Sequence, residues 1–93
     1  MKLSAAELKQ RLGEIPGWEV DGDTLVQEFN FNDFAGAFGF MAAAALIAEK
    51  LDHHPDWTNA YNKVTVRLTT HDAGGVTGKD FVLAEAMNRL AAK

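Results

Sequence analysis

From Phe34 to Ala48 the chain carries no charged residue. Phe34, Phe38 and Met41 recur at helical spacing on one side, and Phe40, Ala44, Ile47 and Leu51 form a second apolar stripe. Asn32 or Asp33 is placed to cap the start, and Glu49 and Lys50 bring the first charges, so the run reads as one helix ending at about Leu51. A helix that is apolar nearly all round has to be covered on more than one face. A chain of 93 residues with one sheet covers one of them and leaves another for a second copy. Gly36, Gly39 and the run Ala42 to Ala45 permit close approach. A homo-oligomer is therefore expected. The uncharged run is short of the ~20 residues that span a bilayer, so no membrane association is expected.

The flanking segments supply the rest of a frame. Ser4-Ala5-Ala6-Glu7 has the form of a capping box, followed by Leu8 and Leu12, which gives a helix over about 5–13. Ile15-Pro16-Gly17 ends it. Trp18-Glu19-Val20, the turn Asp21-Gly22-Asp23 and the alternating Thr24 to Phe31 read as a hairpin with Leu25, Phe29 and Phe31 on its apolar face. After the long helix, Asp56 to Tyr61 alternates, Asn62-Lys63 offers a turn, and Lys63 to Thr70 is the clearest strand, with Val64, Val66 and Leu68 on one side. Ala73 to Val76 is a loop. Thr77-Gly78-Lys79-Asp80 is a second capping box, opening a helix to about Ala91. The order α-β-β-α-β-β-α, with no parallel crossover required, predicts an α+β fold: a four-stranded antiparallel sheet with helices packed on one face. Residues 1–93 form a single domain.

Composition narrows the function. With 13 acidic against 9 basic residues the net charge is -4, which argues against direct nucleic acid binding through a broad basic face. The absence of cysteine excludes thiolate metal sites and fits a reducing cytoplasm. The N-terminus leads into an amphipathic stretch and not into the apolar core of a signal peptide.

The chemistry gathers between residues 49 and 80. All three histidines lie there, His53, His54 and His71, with Glu49, Asp52, Asp72, Asp80, Trp57 and Tyr61 around them. His53 falls just past the helix end, where the dipole favours imidazolium. Pro55 disfavours helix at His54 and turns the chain. A zinc site is a poor match, because helical ligand pairs sit at i, i+4 and here the pair is adjacent; no metal and no cofactor are expected. Surface or capping roles remain open for each histidine, and for Asp80 as a capping carboxylate. General acid–base catalysis is the reading that uses them together, since imidazole titrates at about 6.5 and carboxylates fix its tautomer. The aromatic residues suit a flat heterocycle. The residues alone point to proton transfer or elimination on a small planar molecule.

The run Glu49-x-x-Asp52-His53-His54-Pro55, followed by Trp57, Tyr61, His71 and Asp80, resembles the signature of the pterin-4a-carbinolamine dehydratase family. The resemblance extends over most of the chain, through Gly17-Trp18, Phe29 to Phe34, Ala37 to Met41 and Tyr61 to Val64. It implies the same α+β fold, assembly as dimers or tetramers, and loss of water from 4a-hydroxytetrahydropterin to give the quinonoid dihydropterin. That reaction recycles the pterin used by aromatic amino-acid hydroxylases, so such an enzyme is an implied pathway partner. On this resemblance His54 and His71 are expected to act as the acid–base pair, with His53 assisting and Asp80 orienting a histidine. Glu49, Asp52, Pro55, Trp57 and Trp18 are expected to bind or flank the pterin. Relatives also serve as a dimerisation cofactor for a transcription factor or as assembly factors, which implies a non-catalytic interaction module as the alternative.

Overall fold

The alternation at Lys63–Leu68 decides the sheet. Val64, Val66 and Leu68 are fully buried, whereas Lys63, Thr65 and Arg67 keep contact with solvent, so this strand presents one face to a core and one to water. The computed structural model describes residues 1–92. Its elements are α1 (Ala5–Arg11), β1 (Glu19–Asp21), β2 (Thr24–Asn30), α2 (Phe34–Leu51), β3 (Asp56–Ala60), β4 (Lys63–Leu68) and α3 (Gly78–Ala91), with 3-10 turns at Leu12–Glu14 and His71–Ala73. The strands lie in the order β1-β2-β4-β3, every pair antiparallel. The two hairpins meet along β2 and β4, in the register Leu25↔Leu68, Gln27↔Val66 and Phe29↔Val64. The expected α+β architecture is the one the chain adopts.

Helix α2 lays Ala37, Phe40, Ala44 and Ala48 onto the core. The Phe40 ring sits 4.8 Å from Phe29 and 5.1 Å from Phe31, centroid to centroid. Asp33 caps the helix, its carboxylate accepting from the Gly36 N–H at 2.7 Å. Carried on to Leu51, α2 reaches 18 residues with a mean hydropathy of 1.5, enough in length and composition for a minimal membrane span; here one stripe of it is the core helix of the sheet. The other apolar stripe is uncovered. Phe34, Phe38 and Leu46 are 51, 59 and 75 % exposed, and the rings of Phe34 and Phe38 lie 6.1 Å apart.

Of the boundaries that differ from expectation, three have a local cause. Helix α1 closes at Arg11 and tightens into a 3-10 turn, because Gly13 and the approaching Pro16 give it nothing to propagate on. The β3–β4 turn comes one residue earlier than Asn62-Lys63: Tyr61 takes a left-handed conformation at φ 54 and Lys63 already pairs with Ala60. Strand β4 stops at Leu68 instead of Thr70, since the Thr69 hydroxyl turns to the Asp23 carbonyl at 2.6 Å. Both capping boxes form. In the first, the backbone N–H and hydroxyl of Ser4 hold the Glu7 carboxyl below its usual range. The capping contribution of Glu7 is therefore present above the unfolded carboxylate pKa and lost as pH falls through the lowered folded value.

Trp18 is core, and its polar atom is satisfied across the chain. The indole N–H donates to Asn88 Oδ1 at 2.9 Å, the Gln27 amide donates to the same oxygen at 3.0 Å, and the Asn88 amide donates to the Pro16 carbonyl at 3.0 Å. Gly17, at φ +90, passes so close that a Cβ there would meet Gln27 Oε1 at 2.3 Å. Asn88 thus pins α3 to the entry of β1 and to β2. Replacing Asn88 with Ala strands two donors and is expected to cost about 1–3 kcal/mol in urea unfolding, while Asn88→Asp, which keeps the acceptor, loses less.

Candidate active site

The site begins where α2 ends. Asp52 adopts the left-handed conformation at φ 53, ψ 43, and the His53 N–H reaches back to the Ala48 carbonyl at 3.0 Å, the pattern of a Schellman turn. An L-residue held there stores roughly 1–2 kcal/mol, and such residues cluster at functional sites. The reversal drives His53 inward to 8 % exposure. Pro55 keeps His54 out of the helical region, and β3 starts one residue later. The adjacent histidines therefore diverge.

His53 Nε2 lies 2.5 Å from Oδ1 of Asp80, which is completely buried. The second oxygen of that carboxylate, Oδ2, accepts from the Thr70 hydroxyl at 2.9 Å and from the Thr77 N–H at 2.9 Å. Asp80 also stands in the first turn of α3, where the helix dipole favours negative charge. Its two proposed roles coincide: the capping carboxylate is the one that orients a histidine. An ionised carboxylate is an acceptor only, and opposite it the hydrogen of the pair belongs to His53 Nε2. In a neutral ring that tautomer leaves the lone pair on Nδ1.

His54 pairs with Glu49, Nε2 to Oε1 at 2.8 Å, in the open, their side chains 60 and 80 % exposed. Such pairs contribute ~0–1 kcal/mol. His71 is exposed on the 3-10 turn that follows Thr70. The Thr70 carbonyl collects the N–H groups of Ala73, Gly74 and Gly75 at 3.0, 3.0 and 3.3 Å, which closes this turn against the end of the sheet.

All three histidines border one cleft of about 290 Å³, together with Asp52, Thr69, Thr70, Asp72 and Lys79. This is at the small end of ligand clefts, ~300–1,000 Å³, and matches a small bicyclic ring. A larger depression of about 740 Å³ adjoins it, sharing Thr70, Asp72 and Lys79 but holding no histidine. The histidines all lie at the smaller one. Glu49, Pro55 and Trp57 do not line the cleft: Glu49 meets His54, which does, and Trp57 packs against the core beside its strand partner Val66. Trp18 is not brought to the cleft either. Its partner Asn88 lies eight residues along α3 from Asp80, roughly 12 Å at 1.5 Å per residue. Thr69, Thr70 and Lys79 are the lining residues that spacing did not single out. Among the described residues no three His, Asp or Glu side chains converge as a metal centre would require.

Comparison with known proteins agrees with this fold. The family model for pterin 4 alpha carbinolamine dehydratase matches residues 1–90. A Solibacter usitatus protein provisionally named pterin-4-alpha-carbinolamine dehydratase is 53 % identical over 91 residues, covering 98 % of this chain and 96 % of its own. A Bradyrhizobium diazoefficiens protein of the same provisional name is 56 % identical over 92 residues, covering 97 and 92 %. The crystal structure of a transcriptional coactivator/pterin dehydratase from Brucella melitensis superposes with a TM-score of 0.95 at 50 % identity, over 98 % of this chain and 99 % of that one. A pterin dehydratase-like protein described as a RuBisCO assembly factor of the alpha-carboxysome shares the fold, with a TM-score of 0.67 at 21 % identity over 82 and 88 %. The chain, with its histidine cleft at the junction of α2, β4 and α3, belongs to the pterin 4 alpha carbinolamine dehydratase family.

Proposed function

We propose that this protein dehydrates 4a-hydroxytetrahydropterin to quinonoid dihydropterin, with His53 and His71 as the acid–base pair. The observation that carries the reading is the buried Asp80–His53 contact, which presents an oriented imidazole to a cleft that His71 also borders. The C4a–OH bond breaks, an acid delivers a proton so that the hydroxyl leaves as water, and a base takes a ring-nitrogen proton as the C=N bond forms. Two imidazoles near neutrality serve both tasks in one step. His54, tethered to Glu49 at the rim, binds the ring instead of sharing the proton transfer. Asp52 adds a carboxylate at the same rim. The product re-enters the cofactor cycle of an aromatic amino-acid hydroxylase, in the cytoplasm.

His53→Ala and His71→Ala are each expected to lower kcat by roughly 10²- to 10⁴-fold and His54→Ala by less. The assay generates the 4a-hydroxy substrate in place and follows the quinonoid product with chelator present. Unchanged kcat in His71→Ala overturns the assignment.

The uncovered stripe of Phe34, Phe38 and Leu46 on α2 supports assembly of the protein as a homodimer or homotetramer. Light scattering at micromolar concentration is expected to give a multiple of the chain mass, and Phe38→Asp to return the monomer. The same stripe favours a second reading, an interaction module, as the coactivator and assembly-factor descriptions of its neighbours suggest. A module of that kind keeps its partner when His53, His54 and His71 are replaced together; the dehydratase loses turnover.

A further inference from the structure

We infer that Thr70 is a positioning residue that joins the two histidines of the acid–base pair. Its backbone and side chain do separate jobs. The carbonyl gathers three N–H groups of the turn that carries His71, and its own N–H donates to the Gly75 carbonyl at 3.0 Å. The hydroxyl donates to Asp80 Oδ2 at 2.9 Å, and Asp80 holds His53 through its other oxygen. Displacement of one histidine is thereby felt at the other through Thr70 and Asp80.

The hydrogen-bond directions follow from counting hydrogens. Thr70 has one hydroxyl hydrogen and gives it to Asp80, so the contact between Thr70 and Thr77 hydroxyls, 2.7 Å long, is donated by Thr77. Thr77 Oγ1 in turn accepts the Lys79 N–H as the cap of α3. The chain of donors runs Thr77 to Thr70 to Asp80, each bond polarising the next. It ends on the carboxylate that requires a hydrogen on His53 Nε2. Thr70 touches no reacting atom in this scheme; it keeps Asp80 an acceptor and fixes the plane of the His53 ring, hence the direction of Nδ1 into the cleft.

Thr70→Val keeps the branched shape and the backbone turn but removes the hydroxyl, and Thr70→Ser keeps the hydroxyl. In the dehydratase assay, Thr70→Val is expected to lower kcat about 10-fold with KM little changed, and Thr70→Ser to restore it. A second readout does not depend on turnover: in the NMR spectrum the His53 Nε2–H proton of the parent is expected to be protected and far downfield, and in Thr70→Val to move upfield and exchange faster with water, while Thr70→Ser is expected to keep it. The kinetic arm rests on the dehydratase reading; the spectroscopic arm does not. A parent without turnover removes the dehydratase reading and leaves the Nε2–H signal to decide Thr70. An unchanged signal in Thr70→Val overturns the inference, as does a loss of kcat that Thr70→Ser fails to restore.

Discussion

A carboxylate with no exposed surface is the constraint around which this small fold is arranged. A buried charge costs several kcal/mol unless its partners are close and complete. Asp80 meets that demand with a histidine, a hydroxyl, a backbone N–H and the N-terminus of α3. These partners come from the end of α2, the segment after β4 and the start of α3. The three elements are thus drawn to one point, and the cleft is the small gap that remains on its solvent side. No buried side-chain nitrogen or oxygen among the described residues lacks a partner, so the polar centre is consistent with an otherwise tightly packed core.

Around that point the sheet and helices divide the work. The β2–β4 pairing buries Leu25, Phe29, Val64, Val66 and Leu68 under α2 and α3, an antiparallel face of the common half-wet kind. Helix α2 then serves twice along its length. Its outer side exposes an apolar stripe from Phe34 to Leu46, and its last turn feeds His53 into the site through the left-handed Asp52. The uncovered apolar stripe and the histidine cleft therefore sit on one rigid rod.

Much of this is legible locally. Alternation from Lys63 and the two capping boxes announce the strands and helix starts, because periodicity and caps are short-range effects. The histidine window, Pro55 and Asp80 are equally visible. What spacing does not reveal is which histidine Asp80 holds. His53 and His54 are neighbours, and only the left-handed turn at Asp52, a tertiary bargain for a non-glycine residue, sends one inward and the other out. Trp18 invites a place beside a planar ligand, yet its indole N–H answers to Asn88, 70 residues later. Thr70 is silent for the same reason: a threonine at a strand end signifies nothing until its hydroxyl is seen on Asp80. The turn at Tyr61 was displaced because an aromatic residue seldom takes positive φ.

The double employment of Asp80 has an evolutionary corollary. His71 lies on an exposed turn and His54 in a solvent pair, so either can drift to another residue with little harm to the scaffold. Asp80 cannot, since it is both the cap of a helix and the hydrogen-bond partner of a buried ring. A descendant freed from turnover would erode from the rim inward, shedding exposed histidines while the inner dyad persisted as masonry. An intact Asp80 is accordingly a mark of the fold, whereas the exposed His71 is nothing the fold requires.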